Sequence, residues 1–289
     1  MNTFNFDKNK VEILDFSTLK RTHKENDIYG NPLRGMYHYQ VIENVAELAD
    51  NHNLNYEIEE IFATQNSSRQ SPAVVILPQV EETYGKNAVE AHILRKVYTT
   101  LKISDLQNGE TCGNVVIANH QDGLALAVGQ RVMICKNQCI LRADNIFQNF
   151  GNNKITESQM FKSIDNWFLN FAEYREKDLR ILERMKQIEL ARRDIFELIG
   201  LLTAIRVAND NLKNCSLTRG NYPLNQAQIS QFTENILLES IENGKESFTL
   251  WEIYNIATHL QKPDKMEIQN IIPQNFELFN VIKEKYLEL

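Results

Sequence analysis

Residues 114–135 read NVVIANHQDGLALAVGQRVMIC. Two apolar runs flank the tripeptide Gln121-Asp122-Gly123. Asp-Gly between apolar runs is the strongest short-range hairpin signal, because both central turn positions favour residues that tolerate positive φ. The pattern therefore predicts a strand over Asn114–Asn119, a turn, and a second strand over Leu124–Cys135. A third strand is expected over Ala91–Leu101 (AHILRKVYTTL), and the β-branched run Ala73–Leu77, closed by Pro78, reads as a buried strand. Upstream, Val11–Phe16 alternates weakly as a first strand. Leu54, Tyr56 and Ile58 alternate with polar residues as a half-buried one. Between them Val41, Ile42, Val45 and Leu48 fall at helical spacing, with acids on the opposite face. Tyr29–Pro32 reads as a turn and Asn66–Pro72 as a polar loop.

After Gly151 the period changes. Thr156 with Gln159 has capping-box spacing and opens a pattern carrying Trp167, Phe171, Tyr174, Ile181, Met185 and Ile188, broken at Asp178. One helix of some 30 residues, or two joined end to end, fits it. Asp194 with Glu197 suggests a second box, ahead of Ile195, Leu198, Ile199, Leu202 and Ile205 at core spacing. Asn209–Pro223 reads as a loop, and Ile229, Phe232, Ile236 and Leu237 mark another helix. Thr249 with Glu252 opens a helix that Pro263 stops. Asp264 with Glu267 opens a short one that Pro273 ends, and Phe276, Phe279, Val281 and Ile282 form the last. The fold expected is α+β: an antiparallel sheet with packed helices over residues 1–152, and a helical region over 153–289 packed on it.

Composition narrows the function classes. Of 289 residues, 43% are hydrophobic and 24% charged, and Gly and Pro number only 11 and 6, which argues for folded rather than low-complexity chain. No apolar run approaches the roughly 18 residues that span a bilayer, and the first residues lack a signal-peptide core, so a cytoplasmic protein without a membrane partner is expected. A net charge of −7 weighs against a generic polyanion binder. Glu43, Glu47, Asp50, Glu57, Glu59 and Glu60 make residues 41–60 acidic, and their ordinary reading is a solvated face. Local basic groups accompany aromatics in two places: Lys20, Arg21, Lys24 and Arg34 near Tyr37, and Arg95 and Lys96 near Tyr98. Such combinations serve single-stranded nucleic acid, although Arg95 and Lys96, being adjacent, face opposite sides of a strand.

Four cysteines in a reducing compartment are expected as thiols. Cys135 and Cys139, with Cys112, His92 and His120, could supply zinc ligands; the ordinary reading is reduced cysteines in a core strand. His120 with Asp122 could serve as an acid/base pair, against plain turn chemistry. Phosphate-loop, dinucleotide, zincin and nucleophile-elbow motifs do not occur in the sequence, so no catalytic residue is singled out and no cofactor is expected.

Two segments carry a family signal. One contains Asn119, Asp122 and Gly123, then Arg131, Cys135, Asn137 and Cys139; the other contains Leu250, Trp251, Tyr254, Asn255 and Thr258. Together they resemble an uncharacterised phage/plasmid-like family of bacterial mobile elements. That resemblance implies an accessory protein encoded among replication and recombination genes, with single-stranded DNA binding or annealing, as an oligomer, as the function. The alternative is a protein–protein interaction module, a virion component or an antagonist of host defence, whose partner is itself or a host or phage protein. Trp251 and Tyr254 also fit plain core packing at i, i+3.

Overall fold

The computed structural model describes residues 11–21, 36–64, 96–108, 110–120, 123–133, 136–142, 145–148, 156–212, 216–218 and 221–287. Outside them lie the turn at 29–32, the loop at 66–72, the strand at 73–77, the start of the strand at 91–95, and the boundary drawn at 152.

The hairpin forms as its sequence requires. Strands β5 (Thr111–His120) and β6 (Gly123–Val132) pair antiparallel from Thr111↔Val132 to His120↔Gly123. Only two residues are left for the turn. Strand β4 (Val97–Asn108) pairs on the other side of β5, with a register shift between Ile103 and Asn108. Strand β1 (Val11–Leu14) pairs β3 (Ile61–Thr64), which pairs β4, and β2 (Tyr56–Ile58) also pairs β4. Strands β7 (Gln138–Cys139) and β8 (Ile146–Gln148) both pair β6 and complete an eight-stranded antiparallel sheet among the described residues.

The side-chain period of two divides this sheet by size. Leu101, Ile103, Val115, Ile117, Leu124, Leu126 and Val128 turn one way, against helix α2 (His38–Asn51) and helix α3 (Glu157–Leu169), whose Val41, Ile42, Val45, Met160, Ile164, Trp167 and Phe168 share their core. Tyr98, Val116, Ala118, Ala125 and Ala127 turn the other way, against Ile268, Ile271 and Ile272 of helix α8 (Ile268–Tyr286). Gly129 has a close neighbour: a Cβ there would stand 2.5 Å from the Cys139 carbonyl oxygen. The short helix α1 (Phe16–Arg21) lies against α2.

The helical second half is present as expected. Helices α3 and α4 (Phe171–Gln187) are the pair joined end to end, separated at Asn170, whose amide nitrogen turns back to the Asn166 carbonyl (2.9 Å). The break in pattern at Asp178 is a buried carboxylate rather than an exposed interruption: Asp178 is fully buried, with Arg142 Nε at 3.2 Å. Helix α5 (Arg192–Asn211) and helix α6 (Gln226–Glu242) follow, then helix α7 (Leu250–Thr258) and the terminal α8. A two-stranded ribbon, β9 (Glu189–Ala191) with β10 (Ser247–Thr249), buries Leu190 opposite Phe248. A third core, of α4 to α8, includes Val132, Cys139 and Leu141, so the sheet's β6–β7 edge belongs to the helical core.

Caps decide several ends. Gln159 N donates to Thr156 Oγ1 (3.2 Å) while Thr156 N donates to Gln159 Oε1 (2.8 Å), and Thr249 with Glu252 repeats this at 3.2 and 2.8 Å. Three expectations fail. Asp194 does not start its helix: it is the third residue of α5 and accepts from Ala191 N at 3.0 Å. Asp194 is therefore the acidic half of a box whose N-cap is an alanine. Asp264 opens no helix either, since α8 begins only at Ile268. Nor does Pro273 end one. It sits inside α8, where it removes one backbone hydrogen bond, and the burial of Ile268, Ile271, Ile272, Leu278, Phe279 and Ile282 outweighs that loss. No described helix is long and apolar enough to cross a membrane.

Candidate functional site

Four of the family-like positions, Asn137, Trp251, Tyr254 and Asn255, fall along one seam, while Asn119 and Gly123 sit at the hairpin end of the sheet, Arg131 faces a neighbouring cleft and Asp122 lies outside the described residues. After β6 the chain turns through Lys136, at positive φ (57°), and brings Asn137 and Gln138 against α7 and α8. Asn137 Nδ2 donates to the Asn255 carbonyl (2.8 Å), so the two familiar segments touch through their asparagines. Gln138 Oε1 accepts from Asn114 of β5 (2.5 Å). Asn275, 1% exposed on α8, then closes the seam. Its Nδ2 donates to the Gln138 carbonyl (2.9 Å) and to Gln261 Oε1 (3.1 Å); its Oδ1 accepts from Ile140 N (3.0 Å) and from Tyr254 Oη (3.4 Å). Trp251 Nε1 donates to Glu110 Oε1 (2.9 Å). Burial pushes Glu110 up, but the hydrogen bonds from Lys186 and Trp251 outweigh it and hold the carboxyl below its usual range. Asn119, at the far end of β5, donates to the Met36 carbonyl (3.0 Å) ahead of α2. These residues hold the sheet to the helices. Most of their polar atoms face each other, while Asn114 Oδ1 and Asn137 Oδ1 are buried without a hydrogen bond among the described residues.

Beside the seam opens a cleft of about 440 Å³, between β1, β3, β4 and β6 on one side and the Thr258–Asp264 segment on the other. Its floor is Arg131, 4% exposed, with Glu59 Oε1 at 2.7 Å from its guanidinium. Thr100 donates its hydroxyl to the other Glu59 oxygen. At the rim Lys136 meets Glu60 at 3.3 Å. Arg131 and Lys136 are thus each balanced by a carboxylate of the segment Glu59-Glu60. Burial raises Tyr98 far above the ordinary phenol range, so it stays protonated and cannot act as a base there.

The basic candidates do not converge among the described residues. Lys20 lies 2.6 Å from Glu43 of α2, and Lys96 lies 4.0 Å from Glu267 just ahead of α8, so each has a carboxylate neighbour in a different part of the fold. Arg21 ends α1. Lys24, Arg34 and Arg95 lie outside the described residues, as do Asp122, His92 and Cys135. Cys139 and Cys112 are fully buried free thiols. Burial pushes the Cys112 thiol up, against the pull of Arg131, which keeps it from the thiolate form that binds metal. No group of three His, Cys, Asp or Glu gathers in metal-binding geometry among the described residues.

A surface feature went unnoticed in the sequence. Helices α5 and α6 pack on each other and both expose large apolar side chains. Phe196 (45%), Val207 (49%), Leu238 (44%) and Ile241 (76%) stand out, with Leu212 and Leu237 beside them. Elsewhere among the described residues only Ile13 and Leu169 are exposed to this degree. The sequence signal was available: α5 and α6 carry apolar residues beyond the stripe a single buried face requires. Asn275, too, was signalled, as a polar residue in the apolar file Ile271, Leu278, Ile282. No protein-family model, no curated protein and no solved structure matches this chain, so its reading rests on the geometry above.

Proposed function

We propose that this chain is a protein–protein interaction module, an accessory component of a mobile element, whose working surface is the face shared by α5 and α6. The observation that carries the reading is the concentration there of exposed apolar side chains, Phe196, Val207, Leu212, Leu237, Leu238 and Ile241, within two consecutive helices. Contiguous apolar surface on a folded protein marks contact with another macromolecule. The mobile-element setting comes from the resemblance of the Asn119–Cys139 and Leu250–Thr258 segments. Single-stranded DNA binding draws less support, because Lys20 and Lys96 each sit beside a carboxylate.

A photo-reactive amino acid at Leu238 tests the proposal, with one at Arg180, on the polar side of α4, as the control. The expected result is a discrete protein adduct in cells from position 238 and none from 180. Absence of an adduct from 238, or an adduct abolished by nuclease, would overturn the reading. Saturable, salt-sensitive binding of a single-stranded oligonucleotide would count for the DNA function instead.

A further inference from the structure

We propose that the exposed face of α5 is the two-fold interface of a homodimer, in which α5 lies antiparallel to α5 of a second copy. The inference rests on reading α5 and α6 as an interaction surface, and it names the partner. What singles out a second copy is that the exposed face of α5 is complementary to itself when read backwards.

Along α5, Arg193, Phe196, Gly200, Val207 and Asp210 are exposed, with Thr203 half-buried, at the three-to-four-residue spacing of one helix face. A two-fold axis between positions 201 and 202 sets each of these opposite a fitting mate. Phe196 meets Val207, Gly200 meets Thr203, and Arg193 meets Asp210. Within one chain these charges form i, i+4 ion pairs, Arg193 with Glu197 at one end and Arg206 with Asp210 at the other. Each end therefore carries its cation before its anion, and antiparallel pairing sets Arg193 of one copy against Asp210 of the other at both ends of the interface. An isologous interface demands this self-complementarity, and a contact with an unrelated protein does not. The antiparallel arrangement also opposes the helix dipoles favourably.

Gly200 supplies an independent observation. Glycine in a helix interior is unfavourable relative to alanine, so its presence calls for a reason. None is found among the described residues: a Cβ at position 200 would meet nothing within 4 Å. Opposite a second helix the missing Cβ lets two backbones approach closely. Thr203, three residues on, is small, and its hydroxyl already donates to the Ile199 carbonyl (2.8 Å), so it needs no polar partner across the axis. Leu237, Leu238 and Ile241 of α6, the helix packed against α5, are exposed as well.

Sedimentation velocity of the full chain across roughly 1–100 μM tests the proposal. The expected species has twice the 33.6 kDa chain mass. Gly200→Gln has open space in the monomer and a better helix former, so it should melt no lower than the parent while losing the dimer. Arg193→Asp and Asp210→Arg should each weaken self-association about tenfold, by setting like charges opposite one another twice per dimer. An equimolar mixture of those two variants should recover it, since the mixed dimer has both pairs complementary. A parent chain that is monomeric throughout, a dimer indifferent to Gly200→Gln, or a mixture no tighter than its components would overturn the proposal. A monomeric chain that still gives adducts with another protein from position 238 would sink the homodimer and leave the interaction reading standing.

Discussion

Replacing Asn275 with leucine keeps the branched outline of the side chain and deletes its amide. The residue is 1% exposed, so water cannot take over its hydrogen bonds. Two of them serve main-chain groups of the β7 segment, Ile140 N at 3.0 Å and the Gln138 carbonyl at 2.9 Å. Each buried group left without a partner costs about 1–3 kcal/mol, giving about 2–6 kcal/mol for the pair. Tyr254 and Gln261, bonded at 3.4 and 3.1 Å, can rotate and lose less. Leucine's extra apolar burial returns about 1 kcal/mol, so the net loss centres near 3–4 kcal/mol. For a chain of this size that lowers the melting temperature by roughly 6–16 °C. Urea unfolding should show a lower midpoint at unchanged slope, and the Ile140 amide should lose exchange protection ahead of the β5–β6 hairpin. The exposed Asn243→Leu is the control, expected within about 0.5 kcal/mol of the parent. A loss below about 1 kcal/mol for Asn275→Leu would refute the view that this amide fastens the sheet to α7 and α8.

Gly129→Ala places a Cβ 2.5 Å from the Cys139 carbonyl oxygen, against the backbone of Cys139 and Ile140, and should reduce the soluble, cooperatively melting fraction sharply; a melting temperature within a degree or two of the parent would contradict this. Glu59→Gln leaves Arg131 as a buried, unpaired cation and should destabilise by about 3–5 kcal/mol in denaturant titration, whereas Glu59→Leu with Arg131→Met should regain much of that loss. His259 titrates below its ordinary value of 6.5, first through burial and then through Lys262 and Lys265. A depressed folded pKa means stability is intact above 6.5 and declines as pH falls below it, because the unfolded chain takes up the proton more readily. His259→Gln should therefore flatten the stability profile just below that pH, and an unchanged slope would show the decline comes from other groups.

The elements readable in the sequence were those whose cause is local. The β5–β6 hairpin follows from alternation around Asp-Gly, and α5 from the spacing of Ile195, Leu198, Leu202 and Ile205, all of which are buried. What escaped depends on distant partners. Strand β4 runs on through Lys102–Asn108, a stretch too polar to announce a strand; β2 and β5 pair with it at Lys102 and Ile103, and β5 again at Asn108. Asp178 breaks an apolar pattern only because Arg142, 36 positions earlier, comes to meet it. Pro273 looks like a terminator until the core around it is assembled. The seam was legible in part. Asn137, Asn255, Trp251 and Tyr254 were singled out by resemblance and do meet there, while Asn275, Gln138 and Gln261 were not, for their bonds span up to 137 positions. Of the basic positions, only Lys20 and Lys96 have described side-chain partners, and charge on paper did not reveal the carboxylates beside them.

The alanine side of the sheet has a consequence during synthesis. Its cover, α8, is translated last of the described elements, and Ile140 waits 135 positions for Asn275. At ribosomal speeds of roughly 5–20 residues per second, that interval is roughly 7–27 s. Throughout it the hairpin can already be paired, yet Val116, Ala118, Ala125 and Ala127 face water or whatever shields a nascent chain. Cys139, in the adjoining helical core that the same helix completes, reports on its arrival: its thiol should react with maleimide in ribosome-stalled chains that stop before Ile268, and become inert once the final helix has emerged and docked.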